Sequence, residues 1–341
     1  MVADRSLEVL RAIVTDYVAT REPVGSKSIV DRYSFGVSAA TIRNDMAALE
    51  EDDLITAPHT SSGRIPTDKG YRVFVNHLTG VHQLSAVQRH AIERFLDAAT
   101  DLDEVLSRTV RLLSQLTHQV ALVQYPSLGR AHIRHIELVP LSTTRVMSVL
   151  ITDTGRVEQR LIDVSAGADV EFLAELRAVL NTKLAGLGLT EAATSLTALI
   201  ESFLPERRPL VEAVVASLRD QVAANRSDKL VMAGAANLAL TADDFGGSIY
   251  PVLEAIEEQV TLLRLFAEMQ GDSATGLSTR IGQENASFGL GDTSVIASEY
   301  TTAGGELARV GVLGPTRMDY STNLAAVRAV ARYLSRLLGD D

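Results

Sequence analysis

The 341-residue chain contains no cysteine, which excludes a disulfide framework, a thiolate metal site and a cysteine nucleophile and fits a reducing compartment. It has no stretch of eighteen uninterrupted apolar residues, so nothing in it reads as a membrane span. Its first twenty residues carry Asp4, Arg5, Glu8, Arg11 and Asp16 among the apolar positions, which a signal-peptide core does not tolerate. Low-complexity tracts and fixed-period repeats are missing too. A cytoplasmic location without membrane contact is the expectation. Positive charge is also short: 32 Lys+Arg against 43 Asp+Glu leave a net charge of -11. That is awkward for any protein that must neutralise phosphates. Residues 1–80 are only relatively less acidic, with nine Lys/Arg against eleven Asp/Glu, four of those acids forming the run Glu50 to Asp53.

What is present is the balance of a folded protein, 46% apolar and 22% charged, in a chain long enough for two or three domains. From Leu7 to Val18 the apolar residues Leu7, Leu10, Ile13, Val14, Tyr17 and Val18 recur at helical spacing. After Arg21 to Gly25, Ser26 is placed to cap a short second helix with Ile29, Val30 and Tyr33 inward, and Gly36 to end it. Ser38 then caps a third helix, and Val37 and Ile42 occupy the two positions of a hydrophobic staple. A short strand at Leu54 to Ala57, a Gly/Ser-rich loop from Pro58 to Pro66 and a fourth helix capped by Thr67 complete the segment.

A short helix, a tight turn at Gly36 and a helix starting at Ser38 make a helix-turn-helix, whose second helix lies in the major groove when DNA is bound. With Ile42 and Met46 buried, its other face shows Ala40, Thr41, Arg43, Asn44 and Ala47. Arginine pairs bidentately with guanine O6 and N7, asparagine with adenine N6 and N7, and small residues admit thymine methyls. The wing tip Thr60 to Arg64 adds hydroxyls, Gly63 and the Arg64 cation, a set able to touch phosphates or enter the minor groove. The candidate DNA-binding residues are therefore Ser38, Ala40, Thr41, Arg43, Asn44, Ser62, Gly63 and Arg64. An ordinary helical hairpin with a solvated face is the alternative, and the hairpin wing in the right order argues against it.

Two amphipathic helices are expected at about 85–98 and 101–118, placed to connect domains. Strand-like runs follow at ALVQY, HIRHIELVPL, RVMSVLITD and RLIDV, then helical periodicity from about 167 to 272, then strands at 278–288, 293–302 and 307–314 and a last helix from Thr322 to Leu338. The reading is α+β and multidomain, with residues 1–80 a winged helix-turn-helix, 81–118 connecting helices, 119–166 and 273–341 one α/β domain, and 167–272 an inserted, mostly helical subdomain. The amphipathic helices of that insert are the candidate dimer interface.

No catalytic, metal or cofactor site stands out. His132 and His135 lie three apart in a strand and point to opposite faces, which suits no chelate. Gly282 to Asn285 and Gly304-Gly305 lack a phosphate-loop lysine, so their glycines read as turn residues. Gly314 to Tyr320 is either the lip of a ligand pocket or a junction in which Arg317 and Asp319 pair locally and Tyr320 packs under the last helix. A small-molecule-sensing regulator or an enzyme built on the α/β domain is the rival reading.

The stretches PVGSKSI, SAATIRNDMAALEEDDLI and PHTSSGRIPTDKGYRVFV, with IGQEN and VGVLGPTRMDYSTNLAAVRAV near the far end, resemble the heat-inducible transcription repressor family, HrcA. The resemblance spans essentially the whole chain. It implies that the α/β domain is GAF-like and that the inserted domain dimerises. It also implies a homodimer on double-stranded DNA, at an inverted-repeat operator upstream of chaperone genes, and dependence on the chaperonin for the active form.

Overall fold

The computed structural model describes residues 4–59, 62–78, 92, 101–126, 132–153, 155–164, 167, 169–226, 229–245, 247–269, 276–302 and 307–339. Three helices open it: α1 (Asp4–Thr20), α2 (Ser26–Arg32) and α3 (Ala39–Glu51). The stripe of α1 buries Val9, Leu10, Ile13 and Val14 in one core with Ile29 of α2 and Ile42, Met46 and Leu49 of α3. Ser38 caps α3 as the sequence predicts, its hydroxyl accepting from the Thr41 amide at 3.2 Å. Ser26 does not cap α2. It is the first helical residue, Gly25 takes the cap position, and no side chain closes that end.

Two carboxylates fix the angles between these helices. Asp45, 7% exposed on the inner side of α3, accepts from Arg5 Nε at 2.8 Å, Arg5 Nη2 at 3.1 Å and the Ser6 hydroxyl at 3.3 Å. Asp16 of α1 accepts from the Tyr33 hydroxyl at 2.9 Å and pairs with Arg32 at 2.9 Å. Burial, then the Asp16 bond, pushes Tyr33 up to about 12, so its hydroxyl remains a donor at neutral pH. After α3 come the two-residue strands β1 (Ile55–Thr56) and β2 (Ile65–Pro66), paired antiparallel, and then α4 (Asp68–Asn76), capped by Thr67.

The chain continues through α5 (Leu102–Thr117), β3 (Val120–Gln124), β4 (Ile133–Ser142), β5 (Arg145–Thr152), β6 (Val157–Asp163), α6 (Val170–Leu184), α7 (Leu189–Leu199) and α8 (Arg208–Arg226). It then forms β7 (Leu230–Ala233), α9 (Ala235–Leu240), α10 (Tyr250–Glu258), α11 (Val260–Glu268), β8 (Leu277–Ile281), β9 (Thr293–Thr301), β10 (Leu307–Pro315) and α12 (Tyr320–Leu338). Five strands make an antiparallel sheet in the order β7-β3-β10-β9-β8. Both its faces are covered. Ala121, Val123, Val310 and Val312 pack with α5 and α12, while Val120, Leu122, Val295 and Leu313 pack with α10 and α11. The near-continuous burial along β3, β9 and β10 follows from that double coverage.

Strands β4, β5 and β6 form a separate three-stranded meander. The sequence predicts them in one sheet with the C-terminal strands and the insert as the helical stretch 167–272. Sheet membership differs at both ends: of the early strands only β3 joins β8 to β10, and β7, taken as part of the helical stretch, forms the opposite edge. The unit that interrupts the larger sheet thus runs from β4 to α8 and is a sheet packed on helices. Alternation marks a strand without naming its partner, and a four-residue apolar run such as Leu230 to Ala233 is too short to tell from a helix. The helix expected at 85–98 lies outside the described residues. That at 101–118 is α5, packed on the larger sheet beside α12.

The inner face of the meander carries Ile136, Leu138, Val146, Leu150 and Ile162 in one core with Leu176 and Leu180 of α6, Leu196 of α7 and Val214 and Leu218 of α8. Gln221 of α8, fully buried, donates to the carbonyls of Ser148 and Glu158 at 3.2 Å each and ties the helix to β5 and β6.

Because Asp45 is the polar anchor of α3 on α1, Asp45→Ala is expected to cost roughly 1–3 kcal/mol, the range for removing one partner of a charged hydrogen-bonded pair. Amide hydrogen exchange resolved along the chain should show the loss of protection concentrated in α3 and absent from β4 to β6.

Candidate nucleic-acid interface

The exposed side of α3 carries the residues the sequence singled out. Ala40, Arg43 and Asn44 are exposed, with Ala47 one turn further on, and Thr41 is half-buried. Arg43 and Asn44 have no ion pair or side-chain hydrogen bond among the described residues, so their donors and acceptors remain available. Ser38 and Thr41 are committed to the cap, their hydroxyl oxygens 3.1 Å apart. They shape the start of the helix, the part that enters a groove first.

At the wing the structure brings the predicted residues together and gives them other work. Thr60 and Ser61 lie outside the described residues. The Ser62 hydroxyl donates to the His59 carbonyl at 2.7 Å and accepts from the His59 amide at 3.0 Å, closing the turn. A Cβ at Gly63 would sit 2.6 Å from the carbonyl carbon and oxygen of Pro23, so only glycine lets the hairpin lie against the α1–α2 loop. Arg64 exchanges two backbone hydrogen bonds of 2.9 Å with Val24, an isolated antiparallel bridge beside the hairpin. Its guanidinium is held by Glu50, with Nε at 3.0 Å and Nη2 at 2.8 Å from the same carboxylate oxygen.

The expectation of Arg64 as a loose cation on the wing therefore meets a half-buried ion pair. The acidic run at the end of α3 is what engages it. Glu50 takes Arg64, the Asp52 carbonyl accepts from Lys69 Nζ at 2.7 Å, and the Asp53 carbonyl accepts from the Thr67 hydroxyl at 2.6 Å. Across residues 4–78, Arg5, Arg21, Arg32, Arg64 and Arg72 are each paired with a carboxylate. Among the described residues Arg11, Lys27, Arg43 and Lys69 carry no such pair, Lys69 donating to a backbone carbonyl instead. Lys27 is exposed near the start of α2.

Elsewhere the two histidines do not converge. His132 Nδ1 meets Asp153 at 3.0 Å and His135 Nε2 meets Glu137 at 3.3 Å. Among the described residues no group of three metal-ligating side chains occurs, and no helix is long and apolar enough to cross a membrane. In the C-terminal junction Arg317 does not pair with Asp319. Asp319 caps α12 through the Thr322 amide at 3.1 Å, and Arg317 reaches across to Asp244 and to the Val18 carbonyl of α1.

Comparison with known proteins gives this geometry its context. The family model described as the HrcA protein C terminal domain matches residues 103–323. The heat-inducible transcription repressor HrcA of Clavibacter michiganensis subsp. michiganensis is 64% identical over 338 residues, 99% of either chain. That of Leifsonia xyli subsp. xyli is 63% identical over 340 residues, the full length of both. A crystal structure described as that of a hypothetical protein superposes with a TM-score of 0.69 over 99% of both chains at 23% identity, which shows a shared fold. The Clavibacter and Leifsonia relatives are named as transcription repressors, regulators rather than enzymes. At this identity over its whole length, the chain belongs to the heat-inducible transcription repressor HrcA family.

Proposed function

We propose that the chain is a homodimeric repressor that places α3 of each copy in the major groove of an inverted-repeat operator upstream of chaperone genes and is relieved on heat stress. In this reading residues 4–78 act as a winged helix-turn-helix and the five-stranded sheet belongs to the GAF-like domain. The observation that carries it is the pair Arg43 and Asn44, exposed and unpartnered among the described residues, on a helix anchored by Asp45 on one side and by Glu50 and Arg64 on the other. The direct test is a gel shift of the full-length protein on DNA upstream of chaperone genes, with salt varied and a scrambled duplex as control. Equal binding to both duplexes would remove sequence-specific repression.

Base reading and phosphate attraction separate in two substitutions. Arg43→Ala should relax discrimination at particular base pairs, each bidentate contact being worth about 1–3 kcal/mol. Glu50→Gln releases Arg64 as a free cation, so binding to a scrambled duplex and to a single half-site should tighten and the salt slope there should steepen by about one. Affinities for a panel of single-base operator variants, a half-site and a scrambled duplex at several salt concentrations measure both.

The dimer surface we favour is not the helical stripes taken from the sequence, because α6, α7 and α8 turn those stripes to the inner face of the meander. The outer face of β4, β5 and β6 carries an apolar patch set among His135, Glu137, Gln159 and the Arg145–Asp163 pair. The register aligns Val139, Met147 and Leu161 across it and places Ile151 opposite Val157, with Val157 and Leu161 57% and 56% exposed. A sheet face of that composition matches a second copy of itself. Leu161→Glu is therefore expected to give a monomer in sedimentation and to weaken operator binding by about 10² to 10⁴-fold, the gain that linking two weak sites provides. A dimer that persisted would move the interface elsewhere.

Dependence on the chaperonin is supported by the connectivity. Strand β3 cannot complete the larger sheet until β10 arrives, Val123 pairing with Val310, and pairing at such separation is slow and leaves apolar surface uncovered meanwhile. Refolding from denaturant with chaperonin and ATP should return more operator-binding activity than refolding without them. Equal recovery would take the chaperonin out of the mechanism.

A further inference from the structure

We propose that Asp244 and Arg317 are positioning residues for operator binding, clamping the end of α1 so that the docked N-terminal module fixes the distance between the two reading helices of the dimer. This rests on the operator-binding reading above. Asp244 stands in a single 3-10 turn, Ala242–Asp244, beyond α9, with its side chain 7% exposed, and it accepts from Arg317 Nη1 at 2.5 Å and from Arg21 Nη2 at 3.0 Å. Arg317, 12% exposed, also donates Nη2 to the Val18 carbonyl at 3.0 Å and lies over the Tyr17 ring at 5.6 Å. A cation at that place meets the negative end of the α1 dipole and the free carbonyls of its last turn.

A second seat lies at α4. Arg72 donates Nε to Glu284 at 2.8 Å and Nη2 to the Thr279 carbonyl at 2.7 Å, and the Gln283 amide donates to Asp68 at 2.9 Å. Gly282 has φ +54, and a Cβ there would fall on the Asp68 carboxylate. Between the seats the Tyr71 and Tyr320 rings are 5.5 Å apart, and one apolar core runs from Ile13 and Leu49 to Val312 and Val330. One seat would allow the module to pivot; two hold it in a single orientation.

The choice of a buried ion pair rather than more apolar packing bears on what the contact does. Such pairs are weak stabilisers, because desolvation offsets their attraction; what this one adds is direction, since a single guanidinium is held at once by Asp244 and by the Val18 carbonyl. The route onward is short. Arg21 leads into Val24, Val24 pairs with Arg64, and Arg64 holds Glu50 at the end of the reading helix. The orientation set at Asp244 is thereby passed to both DNA-facing elements.

The test uses full-length Arg317→Met and Asp244→Asn on two kinds of duplex: a single half-site, and inverted repeats with the spacer lengthened or shortened by one to several base pairs. We expect half-site affinity to stay within about 2-fold of the unsubstituted protein, and affinity for the optimal repeat to fall about 10-fold or more as the bivalent gain is lost. The spacer optimum should flatten. An unchanged sharp optimum overturns the proposal, and so does an equal loss on the half-site, which would make the pair a stabiliser of the module alone. An unsubstituted chain that binds neither duplex above a scrambled control would fail the operator reading itself. Because the chain has no cysteine, Arg72→Cys with Glu284→Cys can be bridged by a short bis-maleimide. Before bridging, this variant should show the flattened optimum, and bridging should restore the sharp one. Loss of repeat binding on bridging would mean that the module must undock to bind, and would overturn the proposal.

Discussion

A carboxylate withdrawn from water has to be met by a cation or a donor, and that requirement orders the chain from the reading helix to the last strand. Asp45 draws Arg5 and Ser6 to the inner side of α3, and Asp16 draws Tyr33 and Arg32 to α1. Asp244 does the same where the N-terminal helices meet the larger sheet, and half-buried Asp68 accepts from the Gln283 amide at the same junction. Apolar burial supplies most of the stabilisation, but the attraction itself is non-directional. The paired acids add directed contacts between the elements that share a core.

The same pairing accounts for a module with so little free positive charge. Of its nine cations, Arg5, Arg32, Arg64 and Arg72 face carboxylates within the described residues and Arg21 faces Asp244. Phosphate neutralisation is the sequence-independent part of DNA affinity, so a protein that ties up its arginines internally binds generic DNA weakly. In the proposed repressor the donors left free include those of Arg43 and Asn44, the pair assigned to base reading. On that reading, lower non-specific binding raises the ratio of specific to non-specific binding at the cost of total affinity, which is why two copies of α3 are proposed to act together.

The elements set by local periodicity were legible in the sequence. The stripe of α1, the Ser38 cap and the Val37 and Ile42 staple involve residues within one or two turns of each other, and all appear where the spacing puts them. The exposure of Arg43 and Asn44 follows from the same periodicity. The wing residues were legible as a group but not in their roles, because Gly63 answers to Pro23 and Arg64 to Glu50, contacts made only in space. Arg317 and Asp319 show the same limit: two residues apart, they look like a local pair, while the partners that matter are Val18 and Asp244. Strand identity in β4 to β6 was readable, and strand partnership was not, since alternation is the same whichever sheet a strand joins.

The connectivity gives the proposed repressor a property that no single contact provides. The seats for the N-terminal helices, Asp244, Glu284 and Arg317, belong to the last hundred residues, and the sheet that presents them closes only when β10 pairs with both β3 and β9. Residues 4–78 can form their own helices from local contacts, yet their orientation depends on the far end of the chain being in place. A chain whose C-terminal strands are not yet paired, or have come apart on heating, therefore keeps a reading helix but loses the geometry that two half-sites demand. Because bivalent binding falls steeply with misorientation while local helix content does not, partial unfolding of the distal sheet would release the operator well before the reading helix itself melts.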